Sequence, residues 1–147
     1  MPAIWKSPAT VEDLNARSKG TIMDTLGITF TEIGDDFLTA TMPVDHRTIQ
    51  PMGLLHGGAS VVLAETLGSV AATLCVDTEK QFCVGVAINA NHVRAVREGH
   101  VRGTTRPVQV GLTMQVWKID IHDADGNLVA VSSLTLSVLR RLPQATS

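Results

Sequence analysis

Apolar and polar residues alternate along much of the chain, and this alternation predicts six β-strands. The first two strands flank Gly34-Asp35-Asp36, with apolar side chains at every second position on each side, as in a hairpin. The same period of two returns in four later segments, at residues 84–90, 100–108, 117–122 and 133–138. Asp125-Gly126 joins the last two segments with a hairpin-turn sequence. We therefore expect an antiparallel sheet.

One long helix is predicted between the second and third strands. Residues 58–76 carry a single charge, on Glu65, and small or apolar side chains point in every direction around the helix. Such a helix must be covered on all sides. Its length would also suit a membrane span, but its hydroxyl side chains and central carboxylate favour a buried core helix. A shorter helix is expected to begin after Thr10, which has the pattern of an N-cap, and to end near Gly20.

The order of these elements, two strands, one buried helix and four strands, predicts an α+β fold. The antiparallel sheet must wrap around the long helix to remove it from water. We expect one domain over residues 1–147, because this length and a hydrophobic content of 44% suffice for a core without disulfides or a structural metal.

Charge and composition narrow the choice of partners. The net charge is -2 and the pI about 6.2, so the chain lacks the basic field of non-specific nucleic-acid binding. Only 3% of residues are aromatic, which disfavours base stacking on single strands. No basic segment followed by an apolar run opens the sequence, so we expect a cytoplasmic protein. Cys75 and Cys83 form no CxxC pair and are expected to pack in the core.

Glu65 is the first candidate for chemistry, because it is the one charge of the long apolar helix. Burying a lone carboxylate costs on the order of several kcal/mol unless the group is paired or used. Glu65 could therefore act as a nucleophile or general base. A structural glutamate that caps a neighbouring strand or pairs with an arginine is the alternative interpretation.

His56-Gly57-Gly58 stands where this helix begins. The amides of Gly57 and Gly58 have no acceptor within the helix, and the helix dipole adds positive charge there, so a substrate carbonyl oxygen could bind them. A simple tight turn is the alternative. Glu65 follows two turns later on nearly the same face, and Ser69 one turn further. The spacing leaves open whether a carbonyl at Gly57 would meet the acid of its own helix or that of a partner subunit.

Two further polar residues are candidates for the same site. Gln50, in the loop before the helix, could hold a water or the carbonyl, although an exposed loop glutamine fits equally well. His92 falls on the same alternation as Val84, Val86 and Ile88, which predicts that all four point inward from the third strand. A hydrogen-bonded core histidine is the common alternative.

A basic stretch follows the third strand in a chain that is otherwise slightly acidic: His92, Arg94, Arg97, His100, Arg102 and Arg106. Phosphate binding would explain it, with Arg94 and Arg97 as the best candidates, and a solvated strand face would explain it as well. We expect no metal site, because His56 and Glu65 have no third ligand at a helpful spacing. No GxGxxG or GxSxG motif occurs, which disfavours dinucleotide binding and serine hydrolase chemistry.

The segment QPMGLLHGGASVVLAETLGSVA closely resembles the signature of bacterial hotdog-fold acyl-CoA thioesterases, in the Glu-dependent branch similar to 4-hydroxybenzoyl-CoA thioesterase. MPVDHRTIQP before it and INANHVRAVREGHVRG after it are similar to the thioesterases of menaquinone and enterobactin synthesis. The resemblance covers nearly the whole chain. It implies a hotdog fold and the hydrolysis of acyl-CoA thioesters, especially aromatic ones such as 1,4-dihydroxy-2-naphthoyl-CoA or benzoyl types.

The resemblance also implies roles for individual residues, without any cofactor or metal. Glu65 would be the nucleophile or general base, the Gly57 amide the oxyanion donor, and His56 and Gln50 would position the carbonyl and water. The substrate-binding set would comprise Gly58, Ser69, His92, Arg94 and Arg97, with the arginines near the CoA nucleotide.

A homo-oligomer is implied as well. The family places Gln50, His56 and Gly57 of one subunit against Glu65 and Ser69 of its dimer mate, and two dimers often form a tetramer. Neither nucleic acid nor membrane is expected as a partner.

Two other functions stay open on sequence grounds. A 3-hydroxyacyl thioester dehydratase of the same fold would also place a histidine before the helix and an acid on it, but its loop usually carries prolines that HGGAS lacks. A non-catalytic acyl-CoA-binding protein would retain its ligand without turnover and would have no need of Glu65.

Overall fold

Six strands form one antiparallel sheet in the computed structural model, which describes residues 2–143. They are β1 (Thr29–Ile33), β2 (Leu38–Pro43), β3 (Gln81–His92), β4 (His100–Val110), β5 (Met114–Asp123) and β6 (Leu128–Arg140). Their spatial order is β1-β2-β4-β5-β6-β3, so β1 and β3 are the edges. Three helices accompany them: α1 (Val11–Ser18), α2 (Ile22–Leu26) and α3 (Gly57–Leu74). The predicted α+β hotdog arrangement is confirmed.

Helix α3 lies across the sheet and packs against β2, β3, β4, β5 and β6. Its buried face is built from small and aliphatic residues, among them Leu63, Leu67 and Ala71, which are fully buried. Length and composition alone would let α3 cross a membrane, but half of its residues are buried inside the protein, as in the core helix of a soluble protein. The opposite face is only half-buried in the single chain, from Val61 to Thr73. The prediction that α3 is covered on all sides is therefore wrong for one subunit.

A β-bulge in β3 changes which of its residues face α3. The register with β6 shifts between Gly85 and Ala87. Before the bulge Cys83 and Gly85 face the helix, and after it the even-numbered residues do, ending with His92. The predicted inward orientation is therefore right for Ile88 and His92 but wrong for Val84 and Val86, which are exposed. A uniform period of two cannot reveal the extra residue that a bulge inserts.

The N-terminal segment holds the far end of α3. Thr10 forms the predicted N-cap of α1, with a reciprocal bond to Asp13. Before it, the Lys6 and Ser7 amides donate to the last carbonyl of α3, that of Leu74, at 2.8 and 3.0 Å. These bonds satisfy a carbonyl that the helix itself leaves free. Cys75 lies in the core just beyond the helix, and Cys83 is half-buried beside it.

Candidate active site

The loop before α3 orients the side chain of Gln50. The Gln50 amide donates to the Leu54 carbonyl at 2.8 Å, and the Gly53 amide returns a bond to the Gln50 carbonyl at 2.9 Å. The side-chain oxygen of Gln50 accepts a hydrogen bond from the Met52 amide. Because that oxygen is engaged, the free end of the carboxamide is its NH₂ group, and Gln50 offers donors to the site.

An ion pair holds the start of the same loop. The Arg47 guanidinium donates to the Asp45 carboxylate at 2.7 Å, and the Arg47 amide donates to it at 3.0 Å. These hydrogen bonds lower the pKa of Asp45 from 3.8 to about 2. The Thr48 hydroxyl then donates to the Pro43 carbonyl at 2.7 Å, which joins the loop to the end of β2. The loop that carries Gln50 is thus fixed at its base.

His56 is the N-cap of α3. Its Nδ1 accepts a hydrogen bond from the Gly58 amide at 2.8 Å, and its carbonyl accepts from the amides of Ala59 and Ser60. A neutral imidazole that accepts at Nδ1 carries its proton at Nε2. His56 therefore caps the helix with one nitrogen and presents an N–H donor with the other. Its side chain is exposed, so this donor is open to a ligand.

Gly57 is the first residue of α3, and its amide finds no hydrogen-bond acceptor within residues 2–143. The Gly58 amide, in contrast, is taken by His56, so of the two glycines only Gly57 leaves its N–H free. The partial positive charge of the helix N-terminus adds to this donor. The first turn of α3 therefore offers a single free amide to a carbonyl oxygen.

A cleft of about 450 Å³ opens beside this amide. Its lining combines aliphatic side chains with a few polar groups: Gln50, Leu54, Leu55, Gly57, Ser60, His92, Val93, Arg94, Ala95 and Val129. Ser60, which is 2% exposed, was missed by the sequence analysis, although it follows Gly57 by one helical turn and so shares its face. Apolar walls with a few convergent polar groups are typical of a small-molecule site.

Glu65 lies in a different pocket, on the half-buried face of α3. That pocket of about 290 Å³ is lined by Ile22, Val62, Glu65, Thr66 and Ser69. Within residues 2–143 the Glu65 carboxylate has neither an ion pair nor a hydrogen bond. The structural alternative, in which Glu65 caps a strand or pairs with an arginine, therefore finds no support in the single chain. Its expected full enclosure is also not reached there, because Glu65 is only half-buried.

The free amide and the unpaired carboxylate are far apart within one chain. Glu65 follows Gly57 by eight positions, which corresponds to about 12 Å along a helix. A glutamate side chain spans only a third of that distance. In the single chain the two groups line separate pockets.

The basic stretch is divided by the fold. Arg94 borders the cleft, whereas Arg97 is exposed and lies outside its lining. Arg106 pairs with Asp36 at 3.0 Å and lies over the ring of Phe37, a structural role remote from the cleft. His92 also lines the first cleft, whereas His100 and Arg102 line a separate cleft of about 370 Å³ with His122.

Comparison with known proteins identifies the family of the chain. The family profile described as Thioesterase superfamily matches residues 52–130. The 1,4-dihydroxy-2-naphthoyl-CoA hydrolase of Escherichia coli is 56% identical over 136 residues, which cover 92% of this chain and 99% of that protein. The proofreading thioesterase EntH of Cronobacter sakazakii is 52% identical over 136 residues, covering 92% of this chain and 98% of that protein.

A solved structure shows the same architecture. A mutant of thioesterase PA1618 from Pseudomonas aeruginosa superposes with a TM-score of 0.93 at 48% identity, covering 95% of this chain and all of that one. The relatives thus share sequence and fold over nearly their whole length, and they are named as hydrolases and thioesterases. The chain belongs to the thioesterase superfamily and is a hotdog-fold thioesterase.

Proposed function

We propose that this thioesterase hydrolyses aromatic acyl-CoA substrates such as 1,4-dihydroxy-2-naphthoyl-CoA, in active sites that two copies of the chain complete together. One observation carries the proposal: the free Gly57 amide and the unpaired Glu65 carboxylate lie in separate pockets of the same chain. Each pocket holds half of the chemistry that thioester hydrolysis needs. The substrate class is that of the similar E. coli 1,4-dihydroxy-2-naphthoyl-CoA hydrolase.

In the proposed reaction the Gly57 N–H binds the thioester carbonyl oxygen and stabilises the negative charge that develops there. The Nε2–H of His56 and the NH₂ group of Gln50 supply further donors to that oxygen or to the attacking water. Glu65 of the second copy either attacks the carbonyl carbon, forming an anhydride that water then hydrolyses, or removes a proton from water as it attacks. In both routes the C–S bond breaks, CoA leaves as thiolate and takes up a proton, and the acid is released.

The remaining polar residues have proposed roles around these groups. Ser69 shares the Glu65 pocket and would contact the acyl ring there. His92 and Arg94 line the cleft and would border the pantetheine and phosphates, with Arg97 further out along the CoA nucleotide. As the sequence resemblance suggests, we propose that the reaction belongs to menaquinone synthesis and takes place in the cytoplasm.

The second copy is proposed to pair along β3. This edge strand is long, and it exposes Val84 and Val86, the latter to 62%. The unpaired backbone N–H and C=O groups of an edge strand with apolar side chains tend to pair with a strand of another chain. Pairing of β3 with β3 of a second copy would satisfy that edge and cover the half-buried face of α3. Two such dimers would form the proposed tetramer.

A thiol-release assay tests the reaction and its substrate. The wild type should release CoA fastest from 1,4-dihydroxy-2-naphthoyl-CoA and benzoyl-CoA, and slowly from long-chain acyl-CoA. Glu65→Gln should lower kcat by at least about 1,000-fold with KM little changed, because it removes the nucleophile or base but keeps the shape. Glu79→Gln, at an exposed position, is the matched control and should keep the wild-type rate. Full activity of Glu65→Gln would refute the assigned role, and an enoyl product from a 3-hydroxyacyl thioester would indicate a dehydratase instead.

Mixed oligomers test the shared active site. Glu65→Gln and Gly57→Pro chains with different affinity tags are co-expressed, and doubly tagged oligomers are isolated. If each site takes Gly57 from one copy and Glu65 from the other, a mixed dimer contains one site with both native residues and one site with both substitutions. Such a dimer should show about half of the wild-type rate. If both groups act within one chain, the mixed oligomers stay as inactive as their parents.

A further inference from the structure

Gly85 is an exposed residue of the edge strand β3, on the side of the strand that faces the Glu65 carboxylate. A Cβ atom at position 85 would come within 2.8 Å of Glu65 Oε1, closer than real Cβ atoms approach any neighbour. The next nearest side chain, Leu134, would be 3.9 Å away. The carboxylate therefore occupies space that any other residue at position 85 would fill.

The β-bulge after Gly85 puts this glycine and His92 on the same side of the strand. Gly85 pairs with Leu136 and Ala87 with Thr135, so Val86 is the extra residue. Without the insertion, strict alternation would turn either Gly85 or His92 away from α3. The bulge thus lets one strand contact α3 at Glu65 and, near the first turn, at Gly57.

We propose that Gly85 is a positioning residue for Glu65, an inference that rests on the proposed function. Within residues 2–143 the Glu65 carboxylate has no ion pair to orient it, so its position depends on the shape of its surroundings. Glycine has no side chain, and the space that this leaves at position 85, which we call the Gly85 gap, allows the Glu65 carboxylate to lie against β3. A side chain in the gap would lift the carboxylate by roughly 1 Å, and misplacement of that size can cost about 100-fold in rate.

Gly85→Ala tests the proposal with the smallest possible change. We expect kcat to fall by about 10- to 100-fold while KM changes by less than about 2-fold, because the Gly57 cleft stays intact. Gly103→Ala is the matched control: this glycine also faces α3, and its Cβ would come within 2.6 Å of Leu67 rather than of a catalytic group. Gly103→Ala should lower the melting temperature but leave kcat of the folded enzyme within about 2-fold of the wild type.

A double-mutant cycle separates positioning from a general loss of stability. Glu65→Asp shortens the acid by one methylene and withdraws it from the gap. In that background Gly85→Ala should change kcat by less than about 2-fold, because nothing is left for the new Cβ to displace. Equal effects of Gly85→Ala in both backgrounds would show that its effect is structural and overturn the proposal.

A crystal structure of the Gly85→Ala variant gives a readout independent of turnover. We expect the Glu65 carboxylate to move by roughly 1 Å or to change rotamer. An unmoved carboxylate would overturn the role of Gly85. So would a wild-type kcat of Gly85→Ala, and if Glu65→Gln is inactive in the same assay, the proposed function still stands. Full activity of Glu65→Gln would instead refute the proposed function itself.

Discussion

The imidazole of His92 lies against Gly57, so that a Cβ atom at position 57 would come within 3.0 Å of His92 Nε2. Gly57 opens α3 and His92 ends β3, which makes this contact the meeting point of the two elements. A side chain at position 57 would therefore press against the imidazole, which would have to shift by a few tenths of an ångström. The free Gly57 amide is thus flanked by an imidazole at the entrance of the cleft.

Proline at position 57 should remove the oxyanion donor and little else. Proline is well tolerated at the first position of a helix, and His56 already has the extended backbone that a following proline requires. Gly57→Ala adds the same Cβ beside His92 but keeps the N–H. We expect kcat of Gly57→Pro to lie about 100- to 1,000-fold below that of Gly57→Ala. Equal rates for the two variants in the thiol-release assay would mean that this amide does not bind the carbonyl.

Substitution of His56 should separate its capping role from its role in the site. Gly58 donates to His56 Nδ1, so His56→Ala should cost about 0.5–2 kcal/mol and lower the melting temperature by a few degrees. Asparagine is among the best N-cap residues, so His56→Asn should restore the melting temperature without restoring kcat, because it lacks the Nε2–H donor. Thermal melts at one protein concentration and initial rates check both. Recovery of the rate in His56→Asn would limit His56 to capping.

The ion pair of Asp45 and Arg47 should make the loop sensitive to acid. The pKa of Asp45 is lowered to about 2 by hydrogen bonds from Arg47, so the folded state favours the carboxylate. The resulting stability is fully present above pH about 4 and is lost as the pH falls toward about 2. Wild type and Asp45→Asn should therefore differ by a constant amount in chemical denaturation above pH about 4, and the difference should shrink below it. A difference that persists down to pH about 2 would contradict the lowered pKa.

The Cys75 thiol should be unreactive in the native protein. Burial raises its pKa from 9.0 to about 11, and two pH units mean about 100-fold less thiolate at a given pH. In the Cys83→Ala variant, which leaves Cys75 as the sole thiol and removes the smaller contribution of Cys83 to this pKa, a disulfide reagent should label native protein at least about 10-fold more slowly than unfolded protein. Labelling at similar rates would show that Cys75 is accessible.

Local patterns in the sequence determined much of this protein. Period-two alternation located the strands, and the uncharged run around Glu65 located α3 to within two residues at its C-terminal end. The free amide at Gly57 also followed from sequence, because the first turn of any helix lacks internal acceptors. These features depend on residues that are close together in the sequence, so they can be predicted from the sequence alone.

Only the tertiary structure decided how these features combine. The bulge that reverses the face of β3 comes from the pairing of β3 with β6, and the Gly85 gap beneath Glu65 arises where α3 crosses that strand. The separation of Gly57 and Glu65 into two pockets, and the half-buried face of α3, likewise depend on which surfaces the sheet covers. Contacts between residues that are distant in sequence produce no periodic pattern of polar and apolar positions. They can therefore be identified only from the tertiary structure.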